Sequence, residues 1–576
     1  MIRIGKKNEI RLEVTDRLND ISYASGYAHH PIGGILRGVS LYALPESNMR
    51  DFFVETLLDD AYQDADLRIV YSMSASAKVS FTLKEKKSGR VCLESGVLAC
   101  QQGDNEHRFR ISRPELWDAE HPNLYVLQVN VQSADGGYSF EREIGFRKIE
   151  VKGDRMLVNG KQVKLRGACR HDIHPTLGRT STPELDSLDA ALFKRANMNF
   201  VRTSHYPPTE SFLKYCDREG IYVECETAVC FVDTYRQKNY APGKSQDDPE
   251  ATAQYLGQLE EMVATSRSHA SVLFWSIGNE SVYGKNFQLS YDWLKNEDKT
   301  RPVIFSYPGL VEKGKTAFDL LSCYSDETFM LPVPKKGTSY WIEFAYTKKP
   351  KDFNGNCVGY GEWGIVDVWR REKPEFWGTK KAYSPVRVLK TQVGDVTRNT
   401  PILLPVFNRF DHTNLNELTA KATYKGQTFD VTLPDLNPHD KGVLSVPAQA
   451  WENGNSFLLE FFDAEGRLID AEEIAIGNPV RPEYLNASGN LKLMVEDTDG
   501  YLKLKGKGFE IPFNKSTGLM ENVTSHGEIV IRKGPFLNLD LNVNHLTGAE
   551  VRDKAAQDVL GYWRPVAAKS RSRRLG

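Results

Sequence analysis

Paired cysteines, long apolar runs and an excess of one charge are all missing from this sequence. Its 576 residues include eight cysteines, and no two of them have a CxxC spacing. This excludes a disulfide scaffold and indicates free, buried thiols. Lys and Arg number 74 against 76 Asp and Glu, a formal net charge of −2. We therefore expect no general attraction to nucleic acid or to an anionic membrane surface.

The sequence as given also shows no apolar run typical of a membrane-spanning helix or of a signal peptide. No run reaches the ~18 apolar residues of a transmembrane helix, and residues 1–30 contain no apolar core of signal-peptide length. The chain as given is expected to stay in the cytoplasm. Its first residues, IGKKNEIRLEVTD, already have the alternation of a strand. We therefore expect a missing upstream segment, which leaves a periplasmic location and a homo-oligomeric state open.

Several common catalytic signatures are missing too. The sequence contains no P-loop, no dinucleotide-binding fingerprint and no GxSxG elbow. His171 and His174 are three residues apart, but neither an HExxH motif nor paired cysteines accompany them. This argues against a zinc site. We predict no cofactor and no metal.

Short alternating strands dominate the first part of the chain. Leu67, Ile69 and Tyr71 form one of several such patterns over residues 51–152, and no run with helical period interrupts them. This is typical of an immunoglobulin-like antiparallel β-sandwich. The same alternation returns over 386–480, which predicts a second sandwich. Residues 481–576 are interpreted as a partial C-terminal β domain and a basic tail.

The middle of the chain, 153–385, alternates short apolar strands with helical segments. Thr182 and Pro183 predict the cap and first turn of one helix, and Gly220 predicts the end of the next. The buried stripe of the first helix is expected to consist of Leu185, Leu188 and Leu192. The alternation predicts a (β/α)8 TIM-type barrel between the two sandwiches, although 204 residues from Val163 to Val366 are few for a complete one.

Polar clusters follow three of these predicted barrel strands. They are RHDIH (170–174), RTSHY (202–206) and SIGNE (276–280). Because barrel enzymes carry their chemistry at the carboxyl ends of the strands, we expect these clusters to share one rim. Trp275 precedes Glu280, and an apolar neighbourhood would raise the pKa of that carboxyl toward the range of a general acid. Such a cleft suits an uncharged ligand that is rich in hydroxyl groups.

Four segments resemble glycoside hydrolase family 2, the family of β-galactosidases, β-glucuronidases and β-mannosidases. They are RGACRHDIHPTLGR (166–179), NMNFVRTSHYPPTESFLKYCDREGIYV (197–223), HASVLFWSIGNES (269–281) and GGILRGVSLYALP (33–45). The last is similar to the end of the family's sugar-binding jelly roll, so residues 1–50 are interpreted as a remnant of that domain. The resemblance implies hydrolysis of terminal β-D-glycosides, most simply β-galactosides, with retention through two carboxylates.

The resemblance also implies roles for individual residues. Glu280 matches the acid/base, and Asn279 is expected to contact the sugar hydroxyl beside the anomeric carbon. His171 and His205 are expected to line the sugar pocket, and Arg202 to support it. VECETAVCF (223–231) lacks the histidine of the family's magnesium motif. The resemblance therefore gives no support for a metal, and the expected partner is a carbohydrate substrate.

The nucleophile is the main departure from the family pattern. DLLSCY (319–324) is followed by SDETFMLPVPKKG, where Pro332 and Pro334 exclude a helix. On this alignment the nucleophile strand has no place between Tyr324 and Ser325. Three readings stay open: the nucleophile is absent, Glu343 replaces it, or another acid such as Glu362 does.

Two further functions therefore stand beside hydrolysis. One is a catalytically impaired carbohydrate-binding protein that lacks the nucleophile. The other is an unrelated barrel hydrolase such as an endo-glucanase, which does not explain the flanking sandwiches or the RTSHYP segment (202–207).

Overall fold

The structure of this chain is a computed structural model that describes residues 5–14, 34–134, 136–153, 155–233, 244–306, 319–322, 364–477 and 493–534. The chain forms two compact units. The larger contains all described elements up to residue 477, and the smaller contains those from residue 493 onward. No helix in these ranges is long and apolar enough to cross a membrane.

The larger unit begins with an antiparallel sandwich of two sheets. Its strands are β1 (Met49–Leu58), β2 (Asp64–Met73), β3 (Ala77–Glu85), β4 (Val91–Glu94), β5 (Leu98–Cys100), β6 (Gly103–Ser112), β7 (Tyr125–Ser133) and β8 (Gly136–Ile144). One sheet has the order β1-β2-β6, and the other has the order β4-β3-β7-β8 with β5 beside β3. Every second residue of β2 is buried, because successive side chains of a strand point to opposite faces.

A small antiparallel sheet links this sandwich to the barrel. It consists of β9 (Ile149–Lys152), β10 (Arg155–Val158) and β11 (Lys161–Gln162). The sandwich also contacts the amino end of the barrel closely at Gly145. A Cβ atom at this glycine would lie 2.8 Å from the Cβ atoms of both Trp117 and Ala270. The Trp117 indole in turn donates a hydrogen bond to the carbonyl of Asp217, at 2.8 Å.

The central sheet has six parallel strands in chain order. They are β12 (Gly167–Arg170), β13 (Phe200–Thr203), β14 (Tyr222–Glu226), β15 (Val272–Asn279), β16 (Val303–Ser306) and β17 (Leu320–Ser322). The helices between them are α1 (Pro183–Arg195), α2 (Glu210–Glu219), α3 (Thr252–Ser266) and α4 (Lys285–Glu297), and α5 (Pro374–Tyr383) follows later. This is the predicted TIM-type arrangement, and its sheet does not close on itself within the described residues.

The local signals for the barrel helices are confirmed, with one exception. Thr182 caps α1 by accepting a hydrogen bond from the backbone N–H of Leu185, and Pro183 occupies the first turn. Gly220 ends α2 with φ of 71°, a conformation that favours glycine. Leu192 is buried, but the expectation for Leu188 was wrong, since this side chain is 45% exposed. Its position in the helical repeat lies outside the face that α1 buries against the sheet.

A second antiparallel sandwich follows the barrel. Its strands are β18 (Val386–Val388), β19 (Gln392–Val393), β20 (Ile402–Asn408), β21 (Thr419–Tyr424), β22 (Gln427–Val431), β23 (Lys441–Val446), β24 (Ser456–Phe462) and β25 (Leu468–Ile476). They form sheets of order β18-β20-β23 and β19-β25-β24-β21-β22.

The smaller unit is a five-stranded antiparallel meander. It consists of β26 (Met494–Asp497), β27 (Tyr501–Gly506), β28 (Phe509–Asn514), β29 (Met520–Ser525) and β30 (Glu528–Gly534), each paired with the next.

Candidate active site

The polar clusters that the sequence places after barrel strands do lie at one edge of the sheet. The parallel register pairs Arg170 with Thr203, and Arg202 with Glu224. It also pairs Glu226 with Ser276. The carboxyl ends of β12 to β15 are therefore adjacent, as expected for a parallel sheet.

Arg202 is the centre of this edge. Its guanidinium is buried and binds both carboxylate oxygens of Glu226, with Nη2 to Oε2 at 2.6 Å and Nε to Oε2 at 2.9 Å. Nη2 also donates to Oδ1 of Asn279 at 2.8 Å, and Nε lies 3.2 Å from Oε1 of Glu224. One side chain thus connects the ends of three neighbouring strands.

Glu226 is a member of the site that the sequence interpretation missed. It is fully buried and also accepts hydrogen bonds of 2.6 Å from His205 Nδ1 and from Ser276 Oγ. Burial alone would raise the pKa of this carboxyl, but Arg202 and His205 outweigh burial and lower the pKa. The signal was present as two glutamates, two residues apart, in an otherwise apolar strand.

Glu224 is the second of these two glutamates and behaves in the opposite way. It is buried on the same face of β14, where Ser306 Oγ donates to it at 3.2 Å. Burial raises the pKa of this carboxyl to about 7, with Glu226 adding to the effect and Arg202 opposing it. The pair therefore shares one arginine, and Glu226 is the partner that holds the negative charge.

The two predicted pocket histidines lie against each other. The rings of His171 and His205 meet edge to face, with centroids 5.5 Å apart. Burial lowers the pKa of His205 to about 4 despite its contact with Glu226, and burial also lowers the pKa of His171 well below its usual value. Both imidazoles are therefore neutral at pH 7, which suits hydrogen bonding to hydroxyl groups.

The end of β12 is held by a separate charge network. Arg170 is buried and binds Asp172, Asp186 at 2.8 Å and Asp189 at 2.9 Å. Arg37 from the segment before the first sandwich adds a contact of 2.8 Å to Asp172. Asp172, although it adjoins His171, is thus committed to two arginines.

Asn279 and Glu280 end β15 in different environments. Asn279 is fully buried, and its Nδ2 donates to Cys230 Sγ at 3.1 Å while Oδ1 accepts from Arg202. Glu280 is half-buried, and its backbone N–H donates to the carbonyl of Ser306 at 2.9 Å. Its φ of 39° is strained for a residue with a side chain. Such strain at a strand end is characteristic of functional positions.

We expected Trp275 to provide an apolar neighbourhood for the Glu280 carboxyl, and this expectation was wrong. Trp275 belongs to the core between the sheet and the helices, and its indole donates to Asp298 at 2.8 Å. The next residue, Ser276, faces Glu226 instead. Since neighbouring strand residues point to opposite faces, Trp275 lies on the side away from the cluster.

Glu343 and Glu362 lie outside the described residues. Within the described part of the chain, no group of three or more His, Cys, Asp or Glu side chains is arranged to hold a metal ion.

Two family models match consecutive parts of this chain. Residues 149–386 match the model described as glycosyl hydrolases family 2, TIM barrel domain. Residues 47–147 match the model described as glycosyl hydrolases family 2.

Curated relatives include β-galactosidases. That of Photobacterium profundum is 30% identical over 354 residues, which is 58% of this chain and 33% of the relative. That of Priestia megaterium is 33% identical over 385 residues, which is 63% of this chain and 36% of the relative. The match thus spans about a third of the length of these relatives.

Solved structures show a similar fold. A β-glucuronidase 3 of Bacteroides uniformis has a TM-score of 0.50 at 15% identity, with 86% of this chain and 70% of that chain covered. A β-glucuronidase of Ruminococcus gnavus has a TM-score of 0.50 at 18% identity, with 59% and 69% covered. At this identity the likeness concerns the fold alone.

Proposed function

The chain belongs to glycoside hydrolase family 2, and from this membership we propose that it hydrolyses terminal β-D-glycosides, with β-galactosides as the first candidate substrates. The observation that carries the proposal is the position of Glu280. It directly follows β15 at the carboxyl edge of the barrel sheet, with its backbone fixed to β16.

In the proposed retaining mechanism, Glu280 is the acid/base. It first donates its proton to the glycosidic oxygen as the bond to the anomeric carbon breaks. A second carboxylate attacks that carbon from the opposite face and forms a covalent glycosyl-enzyme. Glu280 then removes a proton from the water that releases the sugar, which restores both groups.

The other polar groups at this edge of the sheet support an uncharged sugar. His171 and His205 are neutral, so they can exchange hydrogen bonds with hydroxyl groups without attracting an anion. The guanidinium groups of Arg170 and Arg202 are already bound by buried carboxylates. Neither of these two groups is available for the carboxylate of a glucuronide.

The nucleophile in this proposal is Glu343. Of the carboxyl groups described at the edge besides Glu280, Asp172 is held by Arg170 and Arg37, while Glu224 and Glu226 are both in contact with Arg202. All three are buried beside their arginines, which disfavours their attack on a sugar. Retention requires a carboxylate about 5–5.5 Å from that of Glu280.

The binding of these carboxylates by arginines also favours a second candidate function. If no carboxylate reaches that position, the chain is a carbohydrate-binding member of the family with impaired catalysis. The cleft residues would then retain affinity for the sugar without turning it over.

A panel of p-nitrophenyl β-D-glycosides separates the two functions. We expect turnover that is highest for the galactoside, that falls in Glu280→Gln and that is abolished in Glu343→Ala. Glu141→Gln, an exposed carboxyl of the first sandwich, serves as the matched control and should keep full activity. Sugar-analogue binding by calorimetry without turnover would favour the second function, and the absence of both would contradict the proposal.

A further inference from the structure

A small cavity lies far from the candidate active site, between the first sandwich and the amino end of β15. Its volume is about 30 Å³. The side chains that line it include those of Glu55, Arg147, Arg267, Ser268, His269 and Arg301. A cavity of this size holds a single water-sized group.

Arg147 is the most unusual of these side chains. It follows the first sandwich, is buried, and directs its guanidinium to backbone carbonyls at the start of β15: those of Ala270, of Val272 at 2.8 Å and of His269 at 3.5 Å. Its Nη1 forms no hydrogen bond within the described residues. This guanidinium therefore has no carboxylate in contact, which is costly for a buried charge.

The carboxylates around the cavity are already committed to other groups. Asp217 accepts from His269 Nδ1 at 2.6 Å and from the backbone N–H of Ser271 at 2.7 Å. Asp298 binds Arg301 at 2.7 Å.

The two remaining carboxylates are held by arginines as well. Glu55 binds Arg68 at 2.6 Å, and Glu297 binds Arg267 at 2.6 Å. None of the four carboxylates is in contact with Arg147.

Two more nitrogens at the cavity have unmet hydrogen-bonding capacity. Nε2 of His269 has no partner, although the side chain is only 3% exposed. Nε of Arg267 is likewise buried without a partner. The burial of Arg147, together with the nearby Arg301 charge, lowers the Arg147 pKa to about 9, although the more distant Asp298 and Asp217 oppose this. The surroundings therefore disfavour its positive charge, and an anion would relieve this.

We propose that this cavity is a binding site for a small monovalent anion, with chloride as the ligand of matching size, held between the guanidinium groups of Arg147 and Arg267. Water has a similar size, but it supplies no charge to balance Arg147. The anion would join the sandwich to the barrel, because Arg147 follows the first sandwich and Arg267 follows helix α3 of the barrel.

Thermal unfolding of the full chain tests this. The melting temperature is measured in sodium chloride and in sodium gluconate at equal ionic strength, since gluconate cannot enter the cavity. For the wild type we expect a saturable rise of roughly 2 °C or more in chloride over gluconate. In Arg147→Met the difference should vanish. In Arg108→Met, which removes an exposed arginine of β6, it should persist. Equal melting temperatures of the wild type in the two salts would overturn the proposal.

A crystallographic readout covers the case in which Arg147→Met does not fold. Wild-type crystals soaked in sodium bromide should show an anomalous peak inside the cavity, within hydrogen-bonding distance of Arg147 Nη1. A cavity that contains only a water molecule, with no anomalous signal, would contradict the anion site.

Discussion

Arg202 fixes the amide group of Asn279 through a hydrogen bond of 2.8 Å from Nη2 to Oδ1. Because the Asn279 Nδ2 donates to Cys230 Sγ, both ends of the amide are occupied within the protein. Asn279 immediately precedes Glu280, so the arginine orients the end of β15. A contact of Asn279 with a sugar hydroxyl stays a prediction, and it requires one of these two bonds to be shared or exchanged.

Arg202→Met should destabilise the chain strongly. The substitution leaves the buried carboxylate of Glu226 without its main counter-charge, a change that typically costs about 3–5 kcal/mol. Chemical denaturation gives the free energy of unfolding directly. Arg108→Met at an exposed site should change it little, and an equally small change in Arg202→Met would show that the buried pair is not formed.

Glu224→Gln should change the pH dependence of stability. The pKa of Glu224 is raised by burial to about 7 in the folded chain, against 4.5 for an ordinary glutamate. The folded state thus keeps a proton that the unfolded state releases, and wild-type stability falls as pH rises from about 4.5 to about 7. Since glutamine does not titrate, the melting temperature of Glu224→Gln minus that of the wild type should increase across this range. A constant difference would contradict the raised pKa.

His171→Ala and His205→Ala should weaken the binding of a sugar analogue. Each removes a neutral imidazole at the cleft, and one lost hydrogen bond of about 0.5–1.5 kcal/mol corresponds to roughly 2- to 10-fold in affinity. Calorimetric titration measures the affinity, and thermal unfolding controls for folding. Unchanged affinity together with a large fall in melting temperature would assign both histidines to structure alone.

Two glycine substitutions test how closely the first sandwich and the barrel pack. In Gly145→Ala the new methyl group would overlap Trp117 and Ala270, so we expect a loss of about 1–3 kcal/mol in unfolding free energy. Gly257→Ala is the matched control, because this position in α3 has no atom within 4 Å of the added Cβ. It should stabilise the helix by about 0.5–1 kcal/mol. Equal effects of the two substitutions would contradict the tight contact at Gly145.

Local signals predicted the elements of the fold well, because they act within a few residues. Thr182 and Gly220 delimit helices through hydrogen bonds and φ values that neighbouring residues determine. Leu188 shows the limit, since its exposure depends on which face of α1 meets the sheet. That face is set by packing between distant parts of the chain.

The site was predicted where several polar residues cluster at the end of a strand, and it was missed at β14, where the two glutamates alternate with apolar residues. Arg202, His205 and Glu280 stand at strand ends, so the barrel topology alone brings them to one edge. Glu226 is the last residue of the buried strand β14, where a carboxylate is stable only beside a cation. Its partner, Arg202, is 24 residues away in sequence. Only the parallel register of β13 and β14 brings the two together.

The rate of glycoside hydrolysis by Glu280→Gln is the most direct test of the proposed function. The measurement compares its kcat with that of the wild type, on the nitrophenyl β-glycoside that the wild type hydrolyses fastest and on the corresponding alkyl glycoside. We predict a loss of about 10²- to 10⁴-fold, larger for the alkyl glycoside because its poorer leaving group depends more on a proton donor. Full turnover of both substrates by Glu280→Gln would contradict the assignment of Glu280 as the acid/base.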